Sequence, residues 1–227
     1  YGKYAPDGRI QKPMPGSNLP LAALGTFILW FGWFGFNGGS QLAAGTIEDV
    51  SAVGKILANT NTAAAAGVLG AFATAYLVFK KPDLTLVLNG AIGGLVAITA
   101  GPLDPALWQA MIIGAVGGIL VVVTVPLLDK LRIDDVVGAI PAHLVCGIWG
   151  TLVAALTTQA EGLNVLTQLG VQTVGILAIG AFVAALSAGT WLALKHTIGL
   201  RPTLDEEVAG LDKSELGMEA YPDFYTG

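Results

Sequence analysis

Long apolar segments alternate with short polar ones along the whole chain, after a polar stretch at residues 1–20. A helix of about 20 apolar residues crosses the hydrocarbon core of a bilayer. Six segments approach or exceed that length: Leu21 to Leu42, Thr62 to Phe79, Leu86 to Gly101, Ala106 to Leu128, Val137 to Leu156 and Asn164 to Leu194. The third is short for a crossing, and the sixth is long enough to tilt or to begin in the interface. The pattern predicts an all-α membrane protein with six transmembrane helices.

The same pattern divides the chain into three regions. Glycine and proline break any helical period in residues 1–20, which predicts a loop. Residues 21–195 form the predicted six-helix transmembrane region. Residues 196–227 are too polar to enter the membrane and are predicted to form an acidic tail. The acidic residues of the tail are Asp205, Glu206, Glu207, Asp212, Glu215, Glu219 and Asp223.

Composition agrees with a membrane protein. Of 227 residues, 54% are hydrophobic and 12% are charged, against roughly 25% charged residues in soluble domains. The 31 glycines suit helices that approach one another closely in lipid. No basic patch points to nucleic acid, and the single Cys146 excludes a disulfide framework within the chain. The chain begins at Tyr1 rather than at Met, which favours a sequence that starts partway through a longer protein.

The basic residues predict the orientation in the membrane. Lys and Arg collect in cytoplasmic loops. Six crossings place ten of the eleven basic residues on one side and Lys55 alone on the other. We therefore expect both termini of this chain and the loops at 80–85 and 129–136 in the cytoplasm. The loops around Glu48, Asp104 and Glu161 are expected outside.

The first span carries polar and aromatic residues at helical spacing. Trp33, Phe36, Asn37 and Ser40 fall at i, i+3, i+4 and i+7, which is one face of a helix. Two rings, an amide and a hydroxyl suit a narrow path that holds a small cationic guest by cation-π contact and hydrogen bonds. The alternative is that the aromatic residues pack against lipid or neighbouring helices.

His143 is the ionisable residue inside the fifth span. Such groups are costly in a membrane and are functional by default. Burial would keep the ring neutral, with one nitrogen donating and the other accepting. The alternative is a core histidine bonded to a backbone carbonyl near a kink at Pro141. Cys146 lies three residues further on, but no other ligand in the spans completes a metal site, so neither a metal nor a cofactor is expected.

The remaining polar residues near the spans suit caps or cavities. Asp134 and Asp135 precede the His143 helix, where negative charge favours a helix start. The triplet at 59–61, Asn-Thr-Asn, precedes the second apolar span and is expected to cap it in the same way. Asn89 and Thr99 lie inside the third span and either face a cavity or bond a neighbouring helix.

Two long motifs carry a family resemblance. GTFILWFGWFGFNGGS and GAIPAHLVCGIWGT, in that order, resemble the ammonium transporter (Amt/Mep/Rh) family. NGAIGGLVAITAG and GLDKSELGMEAYP are similar to it too, so the resemblance covers essentially the whole chain. It implies a bundle of two inverted repeats and a final long helix, assembled as a homotrimer with a pore in each subunit. This chain resembles the second repeat and the final helix, which is a partial ammonium-transporter bundle.

The resemblance also implies roles for single residues. His143 matches the second of two pore histidines that share a hydrogen bond. Trp33 matches a pore-lining tryptophan, Phe36 a phenylalanine that closes the outer end, and Ser40 a hydroxyl of the outer cation-recruitment site. Asn37, Asn89 and Thr99 fall at polar positions near the pore or its mouth. Leu216 departs from the polar residue often found in the family's tail motif.

The function that follows is ammonium or ammonia transport through a hydrophobic pore in the plasma membrane. For the tail, the resemblance implies a docking place for a PII-type regulatory protein. One alternative is an ammonium receptor or sensor built on the same bundle. Another is an intramembrane enzyme using His143 with Ser40 or Cys146, which is disfavoured because no carboxylate in the spans orients the histidine.

A chain that holds one repeat is expected to leave its pore face uncovered. The face bearing Trp33, Phe36, Ser40 and His143 would then turn toward a missing partner. Asn37 and His143 are expected to lack hydrogen-bond partners, at a cost of several kcal/mol each in lipid.

Overall fold

The computed structural model describes residues 3, 4, 9, 16–158 and 162–222. The predicted outer loop around Glu161 lies outside these residues, as do Lys12 of the first loop and Asp223 of the tail.

All regular structure in the described part of the chain is helical, which confirms the predicted all-α class. A π-helical turn at Ile140–Val145 leads directly into α5. The α-helices are α1 (Leu19–Gly39), α2 (Ile47–Phe79), α3 (Leu84–Thr99), α4 (Leu107–Lys130), α5 (Cys146–Thr157), α6 (Val165–Thr197), α7 (Leu204–Ala209) and α8 (Leu211–Leu216).

Five of these helices are long and apolar enough to cross a membrane, counting the π-helical turn with α5 as one helix of 18 residues. α3 is apolar but has only 16 residues, about 24 Å at the α-helical rise. The predicted count of six crossings therefore depends on α3. α6 spans 33 residues, in agreement with the long sixth segment.

The second helix differs most from its prediction. α2 begins at Ile47 rather than at Thr62, because Thr46 accepts the amide of Asp49 while Asp49 accepts the amide of Thr46. This reciprocal capping starts the helix upstream of the polar residues Asn59, Thr60 and Asn61. The expectation that those residues cap the second span is wrong, since all three lie inside α2.

α2, α3 and α4 form the centre of the bundle and meet through glycine and alanine. A Cβ added at Gly114 of α4 would lie 2.0 Å from the carbonyl oxygen of Ala63, and one added at Gly118 would lie 2.0 Å from that of Gly67. The two backbones are in contact, so no side chain fits between them. Small residues allow this approach where lipid gives no hydrophobic drive for association.

The chain divides into two compact units, Tyr1–Ile176 and Leu177–Gly227. The first holds α1 to α5 and the start of α6. The second holds the rest of α6 and the short helices α7 and α8. Within it, Thr203 and Glu206 form a capping box at the start of α7, and Lys213 forms an ion pair with Glu219.

Candidate functional site

The predicted face of α1 divides between exposed and inward-facing residues. Phe36 is 62% exposed, and Ser40 is exposed as well. Trp33 is half-buried, and its ring stacks against that of Phe36 with centroids 5.6 Å apart and planes tilted by 36°. The two rings therefore form one aromatic surface on the C-terminal half of α1. Ser40 ends that surface, and its hydroxyl donates to the carbonyl of Phe36 at 2.7 Å.

Asn37 lies on the inner side of α1. Its side chain is 1% exposed, and its amide donates a 3.0 Å hydrogen bond to Oγ1 of the buried Thr60 in α2. The expectation that Asn37 lacks a partner is therefore wrong. The residue ties α1 to α2.

Trp33 is tied to α3 in the same way. Its indole N–H donates 2.8 Å to Oγ1 of Thr99, and the Thr99 hydroxyl donates 2.6 Å to the carbonyl of Leu95. The indole also packs against a buried cluster that includes Ala142 and Cys146. Trp33 thus touches the cluster to which two neighbours of His143 belong.

His143 lies in the π-helical turn. Pro141 and Ala142 are buried beside it, whereas the imidazole itself is exposed in this chain. Within the described residues the ring makes no hydrogen bond. π-helical turns are rare and often occur at functional sites. Pro141 has no amide hydrogen to donate, which favours an irregular turn over an α-helical one at this point.

The segment before this turn is held by two polar side chains. One carboxylate, that of Asp135, accepts the amides of Gly138, Ala139 and Ile140 at 2.8 to 3.1 Å. Asp135 thus accepts the amides at the start of the His143 helix, although the residue at the N-cap position is Ala139. Asp134 instead accepts the amide of Lys3 at 3.3 Å.

Asn89, in α3, also contacts the segment that precedes the π-helical turn. Its amide donates 2.8 Å to the carbonyl of Val137, and it lies 2.7 Å from the position of a Cβ at Gly138. Gly138 has φ of +77°, a conformation that glycine adopts without strain. Asn89 therefore contacts the backbone that leads into the His143 turn.

Cys146 faces the interior of the bundle. Its side chain is buried, and its thiol lies 3.3 Å from the carbonyl of Gly117 in α4. The exposed His143 and this thiol point to different surroundings, although they are three residues apart in the sequence.

A second aromatic surface lies nearer to the middle of α1. It bounds an open recess of about 230 Å³ lined by Phe27, Trp30, Phe31, Phe34 and Asn61. Phe27 is 63% exposed and Phe31 is 77% exposed. These residues fit the packing or lipid-facing alternative for the aromatic residues of α1.

Sequence reasoning missed the partners of the predicted residues. Thr60 and Asn59 were expected at a helix start, but both are buried inside α2. The sequence Thr-Ile-Glu-Asp at 46–49 is a capping signal that could have moved the start of α2 upstream.

Comparison with known proteins identifies the family of this chain. The profile of the Ammonium Transporter Family matches residues 3–221. The chain is 40% identical to the ammonium transporter Amt2 of Archaeoglobus fulgidus, covering 98% of this chain and 50% of that protein. It is 42% identical to a putative ammonium transporter of Synechocystis over 88% of this chain and 45% of the relative. The chain thus spans about half the length of the curated relatives it matches.

Solved structures give the same result. The fold is similar to that of a sensor Amt protein, with a TM-score of 0.85 and 38% identity over 94% of this chain and 53% of the other. It is similar to Candida albicans Mep2 with a TM-score of 0.78 and 28% identity, over 96% and 52% of the two chains. The match of the profile, the identities and the fold together establish that this chain belongs to the ammonium transporter family.

Proposed function

We propose that this chain supplies one wall of a pathway that carries ammonium-derived nitrogen across the plasma membrane. The observation that carries the proposal is the match of the ammonium transporter profile to residues 3–221. The exposed side chains of Phe36, Ser40 and His143, together with the half-buried Trp33, supply groups suited to this substrate. The family is one of transporters rather than enzymes, and we infer no catalytic activity.

Elementary energetics support conduction of the neutral molecule. An isolated cation loses its hydration in a dry pore at a cost of tens of kcal/mol in the idealised limit. Deprotonation to ammonia removes most of that cost. The rings of Trp33 and Phe36 attract the cation before deprotonation, and the acceptor oxygen of Ser40 can take one of its N–H groups.

His143 would act further along the pathway. A neutral imidazole offers one donor and one acceptor, so it can bind ammonia without fixing a charge in the membrane. The exposure of the ring in this chain supports that role, because a core histidine would be covered. We infer that the covering surface, which completes the pathway, belongs to a part of the protein that this chain does not contain.

The wider arrangement is proposed on the same basis. Residues 1–20 and 196–227 and the loop after α4 would be cytoplasmic, with residues 21–195 in the membrane. The basic residues support this orientation. The family resemblance supports a homotrimer and a PII-type protein at the acidic tail. Asn37, Asn89 and Thr99 would shape the path through contacts with its walls.

A sensor is the second candidate function, since one similar structure is that of a sensor Amt protein. A sensor would bind ammonium and change the conformation of its tail without moving substrate. Saturable binding of ammonium without ammonium flux across the membrane would favour the sensor.

A chimera tests the proposal. In it, this chain replaces the matching half of Archaeoglobus fulgidus Amt2, and yeast cells lacking their own ammonium transporters express it. We expect saturable uptake of radiolabelled methylammonium that ammonium inhibits. Insertion at normal abundance with binding but no uptake would overturn the transport proposal and favour the sensor.

A further inference from the structure

The Trp33 side chain is held by a chain of hydrogen bonds that runs from α1 into α3. The indole N–H donates 2.8 Å to Oγ1 of Thr99, and the Thr99 hydroxyl donates 2.6 Å to the carbonyl of Leu95. The residues at the two ends of the first bond are 66 positions apart in the sequence. This contact therefore joins two helices and fixes the ring relative to the body of the bundle.

These bonds use every donor in the group. An indole has one N–H, and a hydroxyl has one O–H and two acceptor lone pairs. The N–H of Trp33 donates to Thr99, and the O–H of Thr99 donates to the carbonyl of Leu95. The groups of the pair that remain without a hydrogen-bond partner are the π system of the ring and one lone pair of the hydroxyl. A cation with N–H groups can use both, whereas a guest that needs a donor finds none here.

The other contacts of the ring restrict its rotation further. The indole lies against the ring of Phe36, with centroids 5.6 Å apart and planes tilted by 36°. The ring also packs against the buried cluster that contains Ile92, Leu95 and Cys146. Only the half-exposed part of the ring remains free, so the bonds that fix the ring also fix this part of the exposed surface.

We propose that Thr99 is a positioning residue that determines substrate size selectivity by locking the Trp33 ring. The proposal rests on the transport function proposed above and adds the residue that sets the discrimination between ammonium and its methylated forms. If the Trp33 ring is fixed, the width of the pathway beside it is fixed too. Each methyl group added to ammonium must then push the side chains that line the pathway apart. If Thr99 could not accept the N–H, the ring would turn to find another acceptor, and the pathway would lose its defined width.

Two substitutions separate the hydroxyl from the shape of the side chain. Thr99→Val keeps the branched shape but removes the hydroxyl, and Thr99→Ser keeps the hydroxyl. Thr26→Val is the matched control, because Thr26 donates to Ala22 at 3.0 Å in α1 and has no indole partner among the described residues. All three are made in the chimera described above.

The first measurement is a ratio that does not depend on how much protein folds. The concentrations of ammonium and of dimethylammonium that halve uptake of labelled methylammonium are compared in each variant. For Thr99→Val we expect the dimethylammonium-to-ammonium ratio to fall by about three- to tenfold, which corresponds to the loss of one hydrogen bond. Thr99→Ser and Thr26→Val should keep the parental ratio within about twofold. An unchanged ratio in Thr99→Val would overturn the proposal.

A second measurement separates positioning of Trp33 from direct contact of Thr99 with substrate. Trp33→Phe removes the indole N–H, so adding Thr99→Val to it should not change the ratio further. A further fall in the double variant would show that Thr99 acts on the substrate itself and would overturn the positioning role.

A spectroscopic signature tests the bond without transport. Ultraviolet resonance Raman spectra of the purified chimera report hydrogen bonding of indole N–H groups. We expect the difference spectrum between parent and Thr99→Val to show the loss of one bonded N–H, and that for Thr26→Val to show none. A chimera without uptake but with this difference spectrum would refute the transport function while leaving the lock on Trp33 intact. Uptake with a flat difference spectrum would refute the lock alone.

Discussion

The side-chain amide of Asn59 donates a 2.8 Å hydrogen bond to the carbonyl of Pro105, 46 residues further along the chain. The same amide donates to the carbonyl of Pro102 at 2.9 Å. A single buried residue of α2 thereby holds the loop between α3 and α4. Beside it, Lys55 donates to the carbonyl of Asp104 at 3.4 Å, so the loop bends back over α2.

Replacing Asn59 should release this loop. Asn59→Ala leaves two loop carbonyls without their donor, and a buried polar group without a partner costs about 1–3 kcal/mol. We expect a lower midpoint of thermal unfolding in detergent for the chimera that carries it. Asn61→Ala is the control, because Asn61 is two residues away and exposed. Equal midpoints for the two variants would refute the role of Asn59.

Gly114 should not tolerate even a methyl group. Its Cβ would lie 2.0 Å from the carbonyl oxygen of Ala63, so Gly114→Ala must push α2 and α4 apart. Overpacking of this kind costs about 1–3 kcal/mol. Thermal unfolding in detergent should show the loss for Gly114→Ala and none for Gly25→Ala, where nothing lies within 4 Å. A parental midpoint for Gly114→Ala would contradict the close contact.

The proposed orientation can be tested with single cysteines. The sole native cysteine, Cys146, is buried, so its replacement by Ala gives a background without thiols. Lys130→Cys at the end of α4 and Glu48→Cys at the start of α2 should then react with a membrane-impermeant maleimide from opposite sides. We expect Glu48→Cys to react in intact cells and Lys130→Cys only after permeabilisation. Labelling of both in intact cells would overturn the orientation.

His143 should be needed for transport but not for folding. Its ring is exposed and makes no hydrogen bond in the described part of the chain, so removal breaks no internal contact. In the chimera, His143→Ala should lower methylammonium uptake at least about tenfold, as removal of a group that acts on the substrate does, with unchanged abundance in the membrane. His196→Ala, at the exposed end of α6, is the control and should transport normally. Undiminished uptake by His143→Ala would leave only the structural alternative for this histidine.

The acidic tail should respond to pH through Asp212. The amide of Ala220 donates to its carboxylate at 2.9 Å and, as the largest cause, lowers the pKa of that group below its ordinary value. A lowered pKa in the folded tail means that the contact stabilises the tail above the ordinary aspartate pKa, about 3.9. The stabilisation is lost as the pH falls through the lowered value.

Nuclear magnetic resonance of the tail can follow this contact. The amide proton of Ala220 should shift as Asp212 is protonated, with a midpoint below the ordinary aspartate pKa. Asp205→Asn should leave the shift unchanged, whereas Asp212→Asn should abolish the titration. A midpoint at or above about 3.9 would contradict the bond.

The apolar pattern predicted most of the fold because lipid imposes it. α3, α4 and α6 begin and end within a few residues of their predicted segments, since each must be apolar along its length. α2 was cut short because Lys55 and Asn59 interrupt its apolar period. Those residues form hydrogen bonds with the loop between α3 and α4. Hydropathy cannot show that a polar residue inside a helix has such a partner.

For the contacts of the candidate site, the sequence predicted the residues of α1 but not which residues they contact. Helical spacing brought Trp33, Phe36 and Ser40 together, because that spacing is local. Thr99 was expected to face a cavity or bond a neighbouring helix, but helical spacing could not pair Thr99 or Thr60 with α1, since those contacts depend on which helices are neighbours. Helical spacing also placed Asn37 on the same face as its neighbours, although Asn37 points to α2.

The π-helical turn at Ile140–Val145 makes the direction of His143 depend on residue count. Each residue of an α-helix turns the chain by about 100°, and a π-helical turn holds one residue more than regular winding needs. A deletion of one residue in this turn would let it wind as an ordinary helix while the segments on either side keep their directions, so only side chains within the turn, His143 among them, would change direction. A homologous chain one residue shorter at this point would therefore carry the same histidine pointing in a different direction, even with every other residue identical.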